Sequence, residues 1–184
     1  MVTSTREKAA NTKDNKSMVV AVFRDRTNAT QAHNWLIARG YSASEINIMM
    51  SDETRGYYEK ENSKISVGNL ATEGVAAGGT LGAAVGGTVA AIMAIGTAVA
   101  IPGLGWVVAG PILAGLAGVG AGAVTGGLVG GLIGLGIPES NAHAYEEALK
   151  KGGVVIGVVP DQGDTDDIKT HFEKLEGENV ICCA

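Results

Sequence analysis

A run of about 65 residues without a charged side chain lies in the middle of this 184-residue chain. All 14 basic and all 19 acidic residues lie before Gly74 or after Pro138. The run consists mostly of Gly, Ala, Val, Leu and Ile, whereas the flanking segments have the charge content of an ordinary soluble domain. The chain is therefore predicted to consist of two soluble arms separated by an apolar insert, residues 73–138.

The insert is predicted to form a helical hairpin. Pro102 and Gly103 interrupt it near its middle, and both residue types end helices. The two predicted helices cover about residues 73–100 and 106–135. At about 1.5 Å of rise per residue, each is longer than the roughly 20 residues that cross a bilayer.

Glycines recur every four residues in both predicted helices. Residues four apart share one helix face, so each series forms a flat groove against which another backbone can pack closely. Glycine inside a helix costs about 1 kcal/mol relative to alanine, so such a helix needs close packing to be stable. We interpret the two series as a glycine zipper with these self-association residues: Gly74, Gly78, Gly82, Gly86, Gly118, Gly122, Gly126, Gly130 and Gly134.

The zipper does not decide what surrounds the hairpin. Glycine and alanine insert into lipid only marginally compared with leucine or phenylalanine. One interpretation places the hairpin in or on a membrane. The other is a soluble homo-oligomer or cage that encloses its hairpins, with room for an apolar ligand or lipid.

The first arm, residues 17–50, has the pattern of a strand, a helix and a second strand. Met18–Phe23 is an apolar, β-branched run typical of a buried strand. Thr27 and Asn28 predict the start of a helix, with a capping box formed by Asn28, and Gly40 predicts its end. Residues 46–50 then alternate as in a half-buried strand.

The second arm, residues 139–184, repeats this logic. A helix is expected after Pro138, followed by a strand at 154–159, an acid-capped helix at 164–175 and a strand at 179–183. Neither arm has enough strands for a stable core of its own. We therefore predict one α+β domain, a split ferredoxin-like sandwich with helices on one face of its sheet, from whose edge the hairpin leaves.

The remaining segments are predicted to be irregular. Residues 1–16 are polar, lack the apolar core of a secretory signal, and are expected to form a disordered arm. Residues 51–72, rich in charge, are expected to be the linker to the hairpin. The two adjacent cysteines make no disulfide framework and indicate a reducing compartment, so we expect a location on the cytoplasmic side. On the terminal strand, Cys182 and Cys183 should point to opposite faces, one buried and one exposed.

The charge balance and the titratable residues favour no catalytic, cofactor or metal site. A net charge of −5 without a basic patch disfavours nucleic acid as a partner. The histidines are far apart, and the acids near residue 164 lack the spacing of a calcium loop and suit helix capping. These residues are His33, His143 and His171, and Asp161, Asp164, Asp166 and Asp167.

The glycines of the second helix also do not form a nucleotide-binding fingerprint. Gly118, Gly120 and Gly122 lie close together, and Glu139 follows about twenty residues later. A dinucleotide site needs a strand before the glycines and another that ends in the acid, whereas both flanks have a helical pattern here. A phosphate-binding Gly-Lys-Ser or Gly-Lys-Thr sequence is also absent.

Three stretches resemble a known family. They are Val20-Ala21-Val22-Phe23, Gly136-Ile137-Pro138-Glu139 and the run from Tyr145 to Val154. They are similar to sequences of the bacterial general-stress and low-temperature-induced protein family, whose members are likewise split around a glycine-zipper insert. The resemblance covers nearly the whole chain after residue 16. It implies a non-catalytic role in a stress response and supplies no catalytic residues.

From the sequence we expect a non-catalytic protein without a cofactor that associates with itself through the glycine-zipper hairpin. The sequence shows no combination of acid, base and nucleophile that would support an enzyme. The expected partners are further copies of the same chain and a membrane or apolar lipid.

Overall fold

A computed structural model of the chain describes residues 17–67, 99–101, 105–112 and 121–183. These ranges contain six strands and five helices and form a mixed α/β protein. In chain order they are β1 (Met18–Phe23), α1 (Arg26–Arg39), β2 (Ile46–Ser51), α2 (Asp52–Val67), β3 (Val99–Ile101), β4 (Trp106–Ala109), α3 (Ala121–Gly134), α4 (Glu139–Lys150), β5 (Val154–Val158), α5 (Thr165–Lys174) and β6 (Glu178–Cys183).

The strands form one antiparallel sheet in the order β3-β4-β2-β5-β1-β6. Ile156 of β5 pairs with Ala21 on one side and with Ile48 on the other. Val20 pairs with Ile181 of β6. The strands expected around Val20, Ile48, Ile156 and Ile181 therefore lie side by side, and strands of the two arms alternate across the sheet.

The first helix begins one turn earlier than the sequence suggested. Its N-cap is Asp25, whose carboxylate accepts hydrogen bonds from the backbone N–H groups of Thr27 and Asn28. The predicted capping box around Asn28 was wrong, because Asp25 already satisfies the free donors of the first turn. The predicted end is confirmed, since Gly40 caps the helix at φ 107°.

Helices cover both faces of the sheet, not one face as expected. One core contains Val19, Ala21 and Phe23 together with apolar side chains of α1, α2 and α5. The opposite core contains Val20 and Val22 together with side chains of α3 and α4. Every residue of β1 is buried, so neither face of this strand is exposed to solvent.

The segment predicted as a linker, residues 51–72, contains helix α2. Ser51 accepts a hydrogen bond from the Thr54 N–H at 3.1 Å. The Thr54 hydroxyl donates to the carbonyl of Gly152 at 3.2 Å, and the Tyr58 hydroxyl donates to the carbonyl of Arg26 at 3.1 Å. Helix α2 is thereby tied to both arms.

The centre of the insert forms a β-hairpin at the point where the sequence suggested a break between helices. Strand β3 pairs with β4, and β4 pairs with β2, so both extend the sheet. The predictions of a helix starting at Trp106 and of an insert leaving the sheet edge were wrong for these residues. Trp106–Ala109 is a short run rich in β-branched and aromatic residues, which favour a strand beside an open sheet edge.

Candidate functional site

The glycine series is the candidate association surface, and the structure describes only part of it. Gly122, Gly126, Gly130 and Gly134 lie in helix α3. Between the second and third of them, Gly127 adopts φ 64° and ψ −159°, which is not helical. The four glycines therefore do not share one face of a continuous helix, as their spacing suggested. Gly74, Gly78, Gly82, Gly86 and Gly118 lie outside the described residues.

Asn47 joins the sheet to the segment that follows β4. Its side-chain Oδ1 accepts a hydrogen bond from the Ile112 N–H at 2.6 Å. Its Nδ2 donates to the carbonyl of Gly157 at 3.3 Å and contacts the Met18 sulfur at 3.5 Å. The residue is 1% exposed, so these bonds are not exchanged with water. Asn47 therefore holds the backbone at Ile112 against β2 and β5.

Gly110 allows this approach. A Cβ atom there would lie 2.5 Å from the carbonyl oxygen of Ile46 and 2.9 Å from the Asn47 side chain. The residue also has φ 92°, a conformation that residues with a side chain rarely adopt. Only glycine fits this position without displacing β2. The contact could not be predicted from the sequence, because neither an asparagine in an apolar strand nor one glycine among 28 is distinctive.

The last part of the insert is also attached to the sheet. Leu128 and Leu132 of α3 are buried in the core that contains α4, together with Ile137. A tight turn joins the two helices, in which the Ile137 N–H donates to the carbonyl of Leu132 and Gly136 has φ 85°. Ile112 and the second half of α3 are thus fixed on the same face of the sheet.

Tyr145 of α4 fastens that face to the edge strand β6. Its hydroxyl donates to the carbonyl of Asn179 at 2.6 Å. At this point the β1–β6 register shifts, and Asn179 has φ 51°. The carbonyl released from the ladder by the bulge is thus satisfied by a side chain. Burial raises the pKa of Tyr145 well above its usual range, so its hydroxyl stays a donor.

The three histidines lie apart, each in a different setting. His33 on α1 is fully buried, and neither ring nitrogen has a hydrogen-bond partner. Burial lowers its pKa. His143 on α4 is exposed, 3.9 Å from Glu139. His171 on α5 stacks on Trp35, with ring centroids 4.1 Å apart. In the part of the chain that the structure describes, no cluster of three His, Cys, Asp or Glu side chains is placed to hold a metal ion.

Asp166 and Asp167 lie in the first turn of α5, as expected, whereas Asp164 and Asp167 also link two helices. Asp164 stands at the N-cap position of α5 but makes no side-chain cap hydrogen bond. Its carboxylate accepts bonds from Arg39 at 3.0 Å and from the Tyr41 hydroxyl at 3.0 Å, and Asp167 binds Arg39 at 2.6 Å. The expected capping role was therefore wrong for Asp164, because an arginine at the end of α1 competes for the carboxylate.

The two cysteines point to opposite faces of β6, as expected. Cys182 is exposed and Cys183 is buried. The Cys183 thiol donates to the carbonyl of Met18 at 3.4 Å, and burial raises its pKa. A buried, protonated thiol is a poor nucleophile.

None of the helices in the described ranges has the length and apolar character needed to cross a bilayer. Comparisons with family models, curated proteins and solved structures found no match to this chain.

Proposed function

We propose that this chain is a non-catalytic stress-response protein that associates with itself through its glycine-rich segment, in or on a membrane. The observation that carries the proposal is the glycine spacing in an uncharged stretch, Gly74 to Gly86 above all. The stress-response role rests on the family resemblance of the sequence. The attachment of Ile112 and of Leu128 to the sheet supports a design in which the α/β domain presents the segment between them, which carries Gly118, Gly122 and Gly126.

We also propose a ferredoxin-like arrangement for the α/β domain. The order β2-β5-β1-β6, with all pairs antiparallel, supports it. So does the position of α1 and α5, each following a strand and packing on the same face of the sheet. In this interpretation the two halves are β1-α1-β2 and β5-α5-β6. Between them lie four additional elements: α2, the β3–β4 hairpin, α3 and α4.

A soluble homo-oligomer that encloses its apolar segments is the second candidate. The observation in its favour is that β4 and the second half of α3 pack on the sheet of their own chain. Apolar parts of the insert are thereby buried without lipid. In such an assembly, a lipid or another apolar molecule would occupy the space between inserts.

The glycine surface is tested by replacing Gly78 and Gly82 together with leucine. Leucine favours a helix by about 1 kcal/mol per site relative to glycine, yet its side chain fills the groove that a neighbouring backbone needs. We expect a smaller assembly with an unchanged α/β domain, measured by light scattering and circular dichroism. The replacement of Gly122 and Gly126 by leucine is the same test for α3.

The matched control replaces Ala76 and Ala84 with leucine. Each of these alanines is two residues from one of the two glycines and six from the other. If the segment is helical as predicted, they lie on the opposite face, because residues two and six apart are turned by roughly 160° and 120° about the helix axis. The control variant should keep the wild-type mass. Equal masses for the glycine variant and the wild type would contradict association through the glycines.

Cell fractionation distinguishes the two candidates. A membrane-associated protein sediments with the membranes and needs detergent for extraction, whereas a soluble assembly stays in the supernatant. Extraction of purified protein with organic solvent and mass spectrometry of the extract then tests for a carried lipid. A ligand-free soluble assembly would exclude both the membrane role and the carrier role.

A further inference from the structure

Strand β6 is one edge of the sheet. Among the described residues it pairs only with β1, through Ile181–Val20, Cys182–Val19 and Cys183–Met18. The bulge at Asn179 precedes this regular part. Backbone N–H and C=O groups that face away from β1 therefore lie along the strand from Val180 to Cys183, with no described strand beside them.

After the bulge, this edge lacks the charged residues and the proline that protect many edge strands. Edge strands are commonly protected by short length, a bulge, lysine, proline or an inward charge, and β6 has a bulge only at its start. Residues 180–183 are Val-Ile-Cys-Cys, which carry no charge and no proline. The charged side chain that precedes them most closely, Glu178, lies before the bulge and is bound to Arg24 at 2.7 Å. Ile181 is half-buried and Cys182 is exposed, so apolar surface accompanies the open edge.

We infer that β6 is a second self-association surface, on which β6 of another copy adds antiparallel across a two-fold axis. This inference rests on the proposed self-association of the chain. Such an axis is normal to the sheet and keeps each face of the sheet on the same side in both copies. The Cys182 side chain then lies beside uncharged residues of the other copy's β6, and Ile181 is covered by that strand as well as by its own chain. Residues 180–183 carry no charged side chain, so they pair with the same residues of another copy without like-charge repulsion.

The β6 edge is small for a stable interface. A ladder of four residues covers far less than the roughly 1,200 Å² at which stable protein interfaces begin. It therefore acts together with the glycine-rich segment, where two weak contacts on one chain reinforce each other through a high effective concentration. Two different surfaces on one chain also allow assemblies larger than a dimer.

The test places charges on the edge. In the full-length protein, Cys182→Lys and Cys182→Glu are made separately, and sedimentation is measured over a range of concentrations. Two like charges face each other across the two-fold axis, so each variant should dissociate at concentrations about fivefold higher or more than the wild type. An equimolar mixture should recover wild-type association, because opposite charges then meet.

The matched control is Gln31→Lys and Gln31→Glu. Gln31 is exposed on α1, and its two substitutions change the net charge by the same amounts as those at Cys182. Wild-type behaviour of both Cys182 variants, dissociation of the controls to the same degree, or no recovery on mixing would each overturn the inference. If another segment of the same chain covered β6, both Cys182 variants would behave as the wild type does.

The same measurement on the Gly78→Leu and Gly82→Leu variant separates this inference from the proposed function. If that variant keeps the wild-type mass while the Cys182 variants dissociate, the glycine surface fails and the β6 surface stands. If the glycine variant dissociates while the Cys182 variants do not, the β6 surface fails and the glycine surface stands.

Discussion

Replacing Asn47 with alanine should destabilise the protein by about 2–4 kcal/mol, because it removes the bond that fixes the segment after β4 to the sheet. The Ile112 N–H donates a hydrogen bond to the Asn47 side chain at 2.6 Å, and in the variant it would be left buried without a partner. Such a group costs about 1–3 kcal/mol. The space left by the amide adds about 1 kcal/mol. The weak contact with the Met18 sulfur adds little.

The measurement is urea unfolding followed by tryptophan fluorescence at one fixed protein concentration, since association alters apparent stability. Trp106 lies in β4, opposite Ser51 at the end of the same strand as Asn47, and so reports on this region. Asn141→Ala is the matched control. Its side chain is half-exposed in the first turn of α4, and its loss should change stability by less than about 0.5 kcal/mol. Equal stability of the two variants would refute the role of Asn47.

Three further outcomes follow from the described contacts. Gly110→Ala should lower the free energy of unfolding by about 2–4 kcal/mol in the same urea assay, because steric overlap and positive φ act together. Gly105 also has positive φ, 67°, but open space around it, so Gly105→Ala should cost only about 1 kcal/mol. Tyr145→Phe should cost about 1–2 kcal/mol by leaving the Asn179 carbonyl unpaired, seen as a lower thermal midpoint. Burial lowers the pKa of His33 in the folded protein, so the unfolded chain binds the proton more readily. The free energy of unfolding should therefore fall as the pH drops below the ordinary histidine pKa of about 6.5. His33→Leu should flatten this pH dependence.

The strands and helices of the two arms could be predicted because their signals are local. Met18–Phe23 is a short apolar run bounded by polar residues, and Gly40 ends the helix that follows. These features act within a few residues of each other. That the two arms share one sheet also followed from counting, since neither arm alone offered enough strands for a core.

Helix α2 was missed because its stability comes from distant residues. The stretch Asp52–Val67 is charged and contains Gly56, a poor helix former. Thr54 and Tyr58 tie it to carbonyls of Gly152 and Arg26, which lie 98 and 32 residues away. No pattern within the stretch itself reveals those partners.

The β3–β4 hairpin was missed for a different reason. Inside a long apolar run, a buried helix and a buried strand have the same composition, and periodicity does not separate them. Trp106–Ala109 became a strand because β2 offers it an edge to pair with. The interruption of α3 at Gly127 was also not predicted, because the inference that glycines four apart share a face assumes a continuous helix.

Self-association is tested by the solution mass of the purified full-length chain, measured by light scattering with and without detergent over a range of protein concentrations. Self-association through the glycine-rich segment predicts a mass of several chains, each of 18.6 kDa, that falls in the Gly78→Leu and Gly82→Leu variant. A wild-type protein that stays at the mass of one chain at every concentration, with and without detergent, would show that the chain does not associate with itself.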